Sequence, residues 1–130
     1  MARLSPRDRL LDARERVKKV LGGQRHDDAW KIATFHRFLA ELDSRGIDVV
    51  LVRYPAMPAY NEAMKRLGVT AHTLSIAQPH VQDGVPLLNH SRSFDDRPHL
   101  FADADHLNEP GKALFTVALR RELENLGYLR

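Results

Sequence analysis

The chain has 130 residues, 43% hydrophobic and 28% charged, with a net charge of +3, which suits one globular domain with a modest core. It contains no cysteine, so disulfides, thiol catalysis and cysteine-ligated zinc are excluded. No apolar run approaches the roughly 20 residues of a membrane span, and the N-terminal stretch lacks the apolar core of a secretory signal; a cytoplasmic chain is expected.

The charge is uneven. Residues 1–25 carry eight Arg or Lys against three acids (Asp8, Asp12, Glu15), whereas the remainder carries twelve against fourteen. This segment reads as a basic N-terminal helix, set apart from a domain over residues 26–130. Its charge is that of a solvated helix face, and no basic motif interleaved with aromatics points to nucleic acid.

Ser5-Pro6 suits the start of that helix: Ser5 is a good cap, and Pro6 fits the first turn. Leu10, Ala13, Val17, Val20 and Leu21 then recur at helical spacing, and Gly22-Gly23 ends the element. A second helix begins near Asp27 or Asp28, with Trp30, Ala33, Phe35, Phe38, Leu39 and Leu42 on a wide apolar face and Gly46 as its stop. The run Val49-Val50-Leu51-Val52 reads as a strand covered on both faces. Pro55 and Pro58 break the strand exit, and a third helix follows from about Ala59 to Leu67. Residues 69–82 are read as helical or irregular. GVPLLNHS supplies a second short strand.

Residues 90–107 form a long polar loop, of a length usually reserved for function or disorder. The last helix starts at the cap Asn108, with a stripe of Leu114, Phe115, Ala118, Leu119, Leu123 and Leu126. This order makes the chain α/β, with few parallel strands. It also places the long loop just after a strand, where α/β sheets bind ligands.

Within that loop, Asp103 and His106 are three apart. A carboxylate that accepts the Nδ1 proton fixes an imidazole in one tautomer and stabilises the imidazolium it forms during base catalysis. His99, Asp103, Asp105 and His106 also offer metal donors, but in no helical H-x-x-x-H frame, and neither a metal nor a cofactor is expected. His72, His80 and His90 are read as facing solvent, His36 as a surface or edge residue, and Trp30 as core.

The stretch Phe101-x-Asp103-x-x-His106-Leu107-Asn108-x-x-Gly111 resembles the last block of SGNH (GDSL-type) hydrolases. FHRFLAELDSRGIDVVLVRYPAMPAYNEAM and GVPLLNHS resemble the helix, strand and proline-containing exit that precede it. The likeness covers roughly residues 28–127. It is nearest the subgroup tied to O-acetylation or D-alanylation of cell-envelope polymers.

The resemblance implies a flavodoxin-like, three-layer α/β/α sandwich, of which this chain is the C-terminal half. It also implies that Asp103 and His106 are the Asp-His pair of an esterase or acyltransferase acting on an acylated small molecule or polysaccharide. An envelope location follows if the chain is part of a longer protein. The family's Gly-Asp-Ser nucleophile block has no counterpart: the serines are Ser5, Ser44, Ser75, Ser91 and Ser93, and none follows Gly-Asp. Ser91 and Ser93, in the loop before Asp103, are the remaining nucleophile candidates. Neither Asn61 nor Asn89 sits in the G-x-N setting of an oxyanion donor. The alternative is a non-catalytic α/β interaction module or a truncated remnant. Either way, few strands leave an open sheet edge, and self-association through it or marginal stability is expected.

Overall fold

The computed structural model describes residues 5–21 and 28–129. Helix α1 (Pro6–Leu21) begins at Ser5, whose hydroxyl accepts the Asp8 N–H at 3.2 Å and donates to the Asp8 carboxylate at 2.6 Å. This satisfies one of the donors that every helix start leaves open. Ala13 and Val17 are fully buried, and α1 packs on α3 (Pro58–Arg66). The side chains of Leu10, Val20 and Leu21, and the Gly22-Gly23 stop, lie outside the described residues.

Helix α2 (Asp28–Ser44) ends at Gly46, whose φ of 66° supplies the left-handed turn into the first strand. Strand β1 (Leu51–Arg53) pairs in parallel with β2 (Leu87–Asn89), in the register Leu51 to Leu87, Val52 to Leu88 and Arg53 to Asn89. The connection consists of α3, Gly68 at φ 73°, and α4 (Val69–Gln82). The segment 69–82 is therefore a single helix that accommodates Pro79.

Among the described residues, these two strands are the whole sheet, and the architecture is mixed α/β. No helix among them is long and apolar enough to cross a membrane.

The narrow sheet corrects several expectations. Two strands of three residues offer less apolar surface than the helices bring to them. Val52, expected to be covered on both faces, is 39% exposed, and Trp30 and Phe38 of α2 are 59% and 57% exposed. Only Leu39 of the expected α2 face is buried.

The core lies instead beneath the long loop. Its buried cluster joins Phe94, Leu100, Phe101 and Leu107 of that loop to Met57 and to Phe115 of α5 (Glu109–Asn125), with Leu119 packed alongside. The loop is thus polar at its tips and apolar at its anchors. A short 3₁₀ turn (Pro98–Leu100) and an antiparallel bridge between Phe101 and Leu107 fold it back on itself. The α5 stripe is narrower than its periodicity suggests: Phe115 is buried, but Leu114 and Leu126 are 47% and 49% exposed. The helix meets the 3₁₀ turn and the aromatic cluster through Gly111 and Phe115, which leaves Leu114 beside that contact and Leu126 beyond it.

Two residues at the start of α5, Asn108 and Gly111, lock the loop to it. Asn108 caps the helix by accepting the Gly111 N–H at 3.0 Å, and its amide donates to the His99 carbonyl at 2.6 Å. Its backbone N–H donates to the Leu100 carbonyl at 2.9 Å. Gly111 passes so close to Leu100 that a Cβ there would overlap the Leu100 carbonyl oxygen. Because that neighbour is backbone, it cannot rotate away. Gly111→Ala is therefore expected to destabilise the fold by about 1–3 kcal/mol, read as a lower urea midpoint; an unchanged midpoint would mean that α5 does not press on Leu100.

Candidate active site

The turn at residues 103–106 is organised by one carboxylate oxygen. Asp103 Oδ1 accepts the backbone N–H of Asp105 at 3.1 Å and that of His106 at 2.9 Å. Short side chains of this kind bond their own following backbone and so fix a tight turn. The same oxygen lies 2.9 Å from His106 Nδ1. The turn that sets the backbone therefore also brings the imidazole onto the carboxylate. Below it, the Met57 N–H donates to the Ala104 carbonyl at 2.9 Å, tying the loop to the segment leaving β1. Leu107, 2% exposed, anchors its far end.

The fourth member of the site comes from α1. Arg16 Nη1 lies 3.4 Å from Asp103 Oδ2, and Arg16 Nε lies 2.6 Å from Asp105 Oδ1. The Nε contact is an ion pair rather than an aligned hydrogen bond, since Asp105 Oδ1 accepts no N–H in good geometry. Arg16 Nη2 is also 3.1 Å from His106 Nδ1. These contacts compete. As the Nδ1–H tautomer, His106 donates to Asp103 and keeps a lone pair on Nε2, the arrangement of a general base. With Nδ1 accepting from Arg16, the proton moves to Nε2, which then has no lone pair to take a proton from a substrate. The side chain is 60% exposed, and Nε2 makes no hydrogen bond among the described residues.

Sequence reasoning missed Arg16 by counting it among the general basic charge of residues 1–25. A signal was present: it stands beside Val17 and three residues after Ala13, on the face of α1 that is buried.

The electrostatics follow from these neighbours. Burial raises the Asp103 pKa, but the Asp105 N–H, the His106 bond and charge, and Arg16 together outweigh it and hold the carboxyl below its ordinary value. Tyr60, half-buried on α3, is pushed above its ordinary value by burial and by the Asp105 charge, which Arg16 partly offsets. Asp103, Asp105 and His106 each place a potential metal-ligand atom within 4.8 Å of the others. Arg16 already supplies positive charge at that cluster. His99 stands outside it, and its carbonyl serves Asn108.

The structure brings Asp103 and His106 together and does not bring the serines to them. Ser91 is buried, and its hydroxyl donates to Asn89 Oδ1 at 2.8 Å. The Ser93 hydroxyl lies 3.1 Å from His90 Nδ1. Asn61 is pinned by donating to the carbonyls of Ala56 at 3.1 Å and Ser91 at 2.6 Å.

Two histidines expected to face solvent do not. The side chain of His90 is 16% exposed, with Nε2 beside Glu122 Oε2 at 2.8 Å and the ring edge-on to Phe115; it follows the end of β2 directly under α5. His80 of α4 is half-buried, with Nε2 2.7 Å from His36 Nδ1 of α2 and the two rings stacked 4.9 Å apart.

Comparison of the chain with family models, with curated proteins and with solved structures found no match. The case for a site therefore rests on geometry.

Asp103→Asn tests the charge in that geometry, because the amide oxygen can still accept both backbone N–H groups. A carboxyl held below its ordinary value stabilises the fold above the unfolded pKa, about 3.9, and loses that contribution as pH falls through the folded value. The variant is thus expected to be less stable than the parent at pH 7, with the gap closing below about pH 4. Urea denaturation across pH measures this, and a gap independent of pH would mean that the charge of Asp103 is not what its neighbours hold.

Proposed function

We propose that the chain is an SGNH-type ester hydrolase or O-acyltransferase relative in which Asp103 orients His106 as general base. The observation that carries this is the 2.9 Å approach of Asp103 Oδ1 to His106 Nδ1, at the start of the helix-entering block, with Nε2 left for a substrate. The parallel β1–β2 pair and its helices are read as part of a three-layer, flavodoxin-like sheet. The substrate class is an acylated small molecule or polysaccharide.

In the reaction, His106 Nε2 takes the proton of an attacking hydroxyl as that oxygen bonds to the ester carbonyl carbon. It returns the proton to the alkoxide that leaves when the C–O bond breaks. Asp103 stabilises the imidazolium between these steps. Ser91 and Ser93 are engaged with Asn89 and His90, so the hydroxyl is that of water, of the acyl acceptor, or of a serine supplied by another chain.

A second reading is favoured by Arg16. Its contacts with Asp103, Asp105 and His106 Nδ1 are those of a charged clasp holding α1 to the loop in a non-catalytic interaction module.

Hydrolysis of p-nitrophenyl acetate, with fluorophosphonate labelling alongside, distinguishes the two. Under the enzyme reading, turnover falls on the order of 10²–10⁴-fold in His106→Ala, and any label is lost with it. Equal background rates for the parent and His106→Ala, with no label on either, would overturn it in favour of the clasp.

A further inference from the structure

A groove of about 660 Å³ opens between α2, α4 and the outer side of β1, on residues the proposed reaction does not use. Its size falls within the roughly 300–1,000 Å³ of ligand clefts. Its walls are apolar: Ile32 and Phe35 from α2, Val69 and Ile76 from α4, and Leu51 and Leu87 from the sheet.

The charged groups at this groove, Lys31 and Arg53, have one sign. His72 lines it as well, and no aspartate or glutamate does, in a chain that carries 17 acids. The neighbouring groove of about 370 Å³ is the reverse, with Asp43, Asp48 and Asp83 on its walls and no lysine or arginine. Arg53 is half-buried at the carboxyl end of β1 and pairs with no carboxylate among the described residues. An arginine beside apolar walls is a binding point for an anionic head group, because its planar fork matches a carboxylate. The parity of the sheet adds one donor, the Val52 N–H. The Leu51 N–H and the Arg53 carbonyl are turned to β2, so the backbone groups of Val52 face the open edge.

We propose that this groove binds an unbranched acyl chain carrying a carboxylate, with the chain along Ile32, Val69 and Ile76 and the head group at Arg53. The site stands on different residues from the Asp103–His106 pair and does not rest on the catalytic reading.

The test is titration of the full chain with decanoate below its micelle concentration, followed by backbone amide shifts, with decanol and decyltrimethylammonium as head-group controls. Saturable shifts confined to the groove are expected, with decanoate favoured about tenfold over the ammonium compound. Arg53→Gln is expected to weaken decanoate about tenfold and leave decanol unchanged. Val69→Asp places a carboxylate at the first position of α4, where acids suit a helix start, so the fold is retained; decanoate binding should be lost and the ammonium compound favoured.

Equal binding of the three probes, no effect of Arg53→Gln in a variant with native amide dispersion, or shifts scattered over the surface would overturn the proposal. So would sedimentation showing that, without a probe, a second copy of the chain covers the β1 edge.

Discussion

The geometry of the candidate site depends on one close approach of backbone to backbone. The first turn of α5 lies against the 3₁₀ turn, and only a residue without a Cβ fits at position 111 opposite the Leu100 carbonyl. Asn108 spans the same junction with its backbone N–H, its carbonyl-side cap and its amide, reaching Leu100, Gly111 and His99. The two ends of the nine-residue stretch from Leu100 to Asn108 are held together in this way, and the Phe101–Leu107 bridge closes it. The tip that remains, residues 102–106, is too short to wander, and Asp103 Oδ1 ties off its free N–H groups.

This gives the block Asp103-x-x-His106-Leu107-Asn108-x-x-Gly111 a division of labour. Leu107 is the apolar anchor, Asn108 the helix cap and interlock, and Gly111 the point of close contact. None of these three is required by acid–base chemistry. They are what an exposed imidazole requires if it is to stay on its carboxylate without being buried. Asp103 serves both purposes, since the oxygen that shapes the turn also faces the ring.

Arg16 shows how a distant helix enters such a site. A half-buried guanidinium beside two carboxylates and an imidazole competes for Nδ1 and so bears directly on which nitrogen of His106 carries the proton. It also makes α1 part of the loop's electrostatic environment, although the sequence sets that helix apart by its net charge. The buried Ala13 and Val17 put α1 against α3, and that packing, rather than long-range attraction, delivers the arginine to the loop.

The sequence by itself determined the local events. The Ser5 and Asn108 caps, the Gly46 stop, the two short strands, the α5 start and the Asp103–His106 spacing are each encoded within a few residues, through hydrogen-bonding side chains, glycine freedom or apolar runs. Tertiary structure decided what those elements cover. Trp30, Phe38 and Leu114 have core chemistry and stay exposed, because a two-stranded sheet has too little surface to receive them. The polar-looking loop supplies most of the buried cluster, because its four apolar anchors are spaced by folding rather than by any period. Arg16 reaches the candidate site across 87 residues of chain to Asp103. Hydrophobic periodicity reports which face of an element is apolar; which partner meets that face is fixed only when distant segments pack.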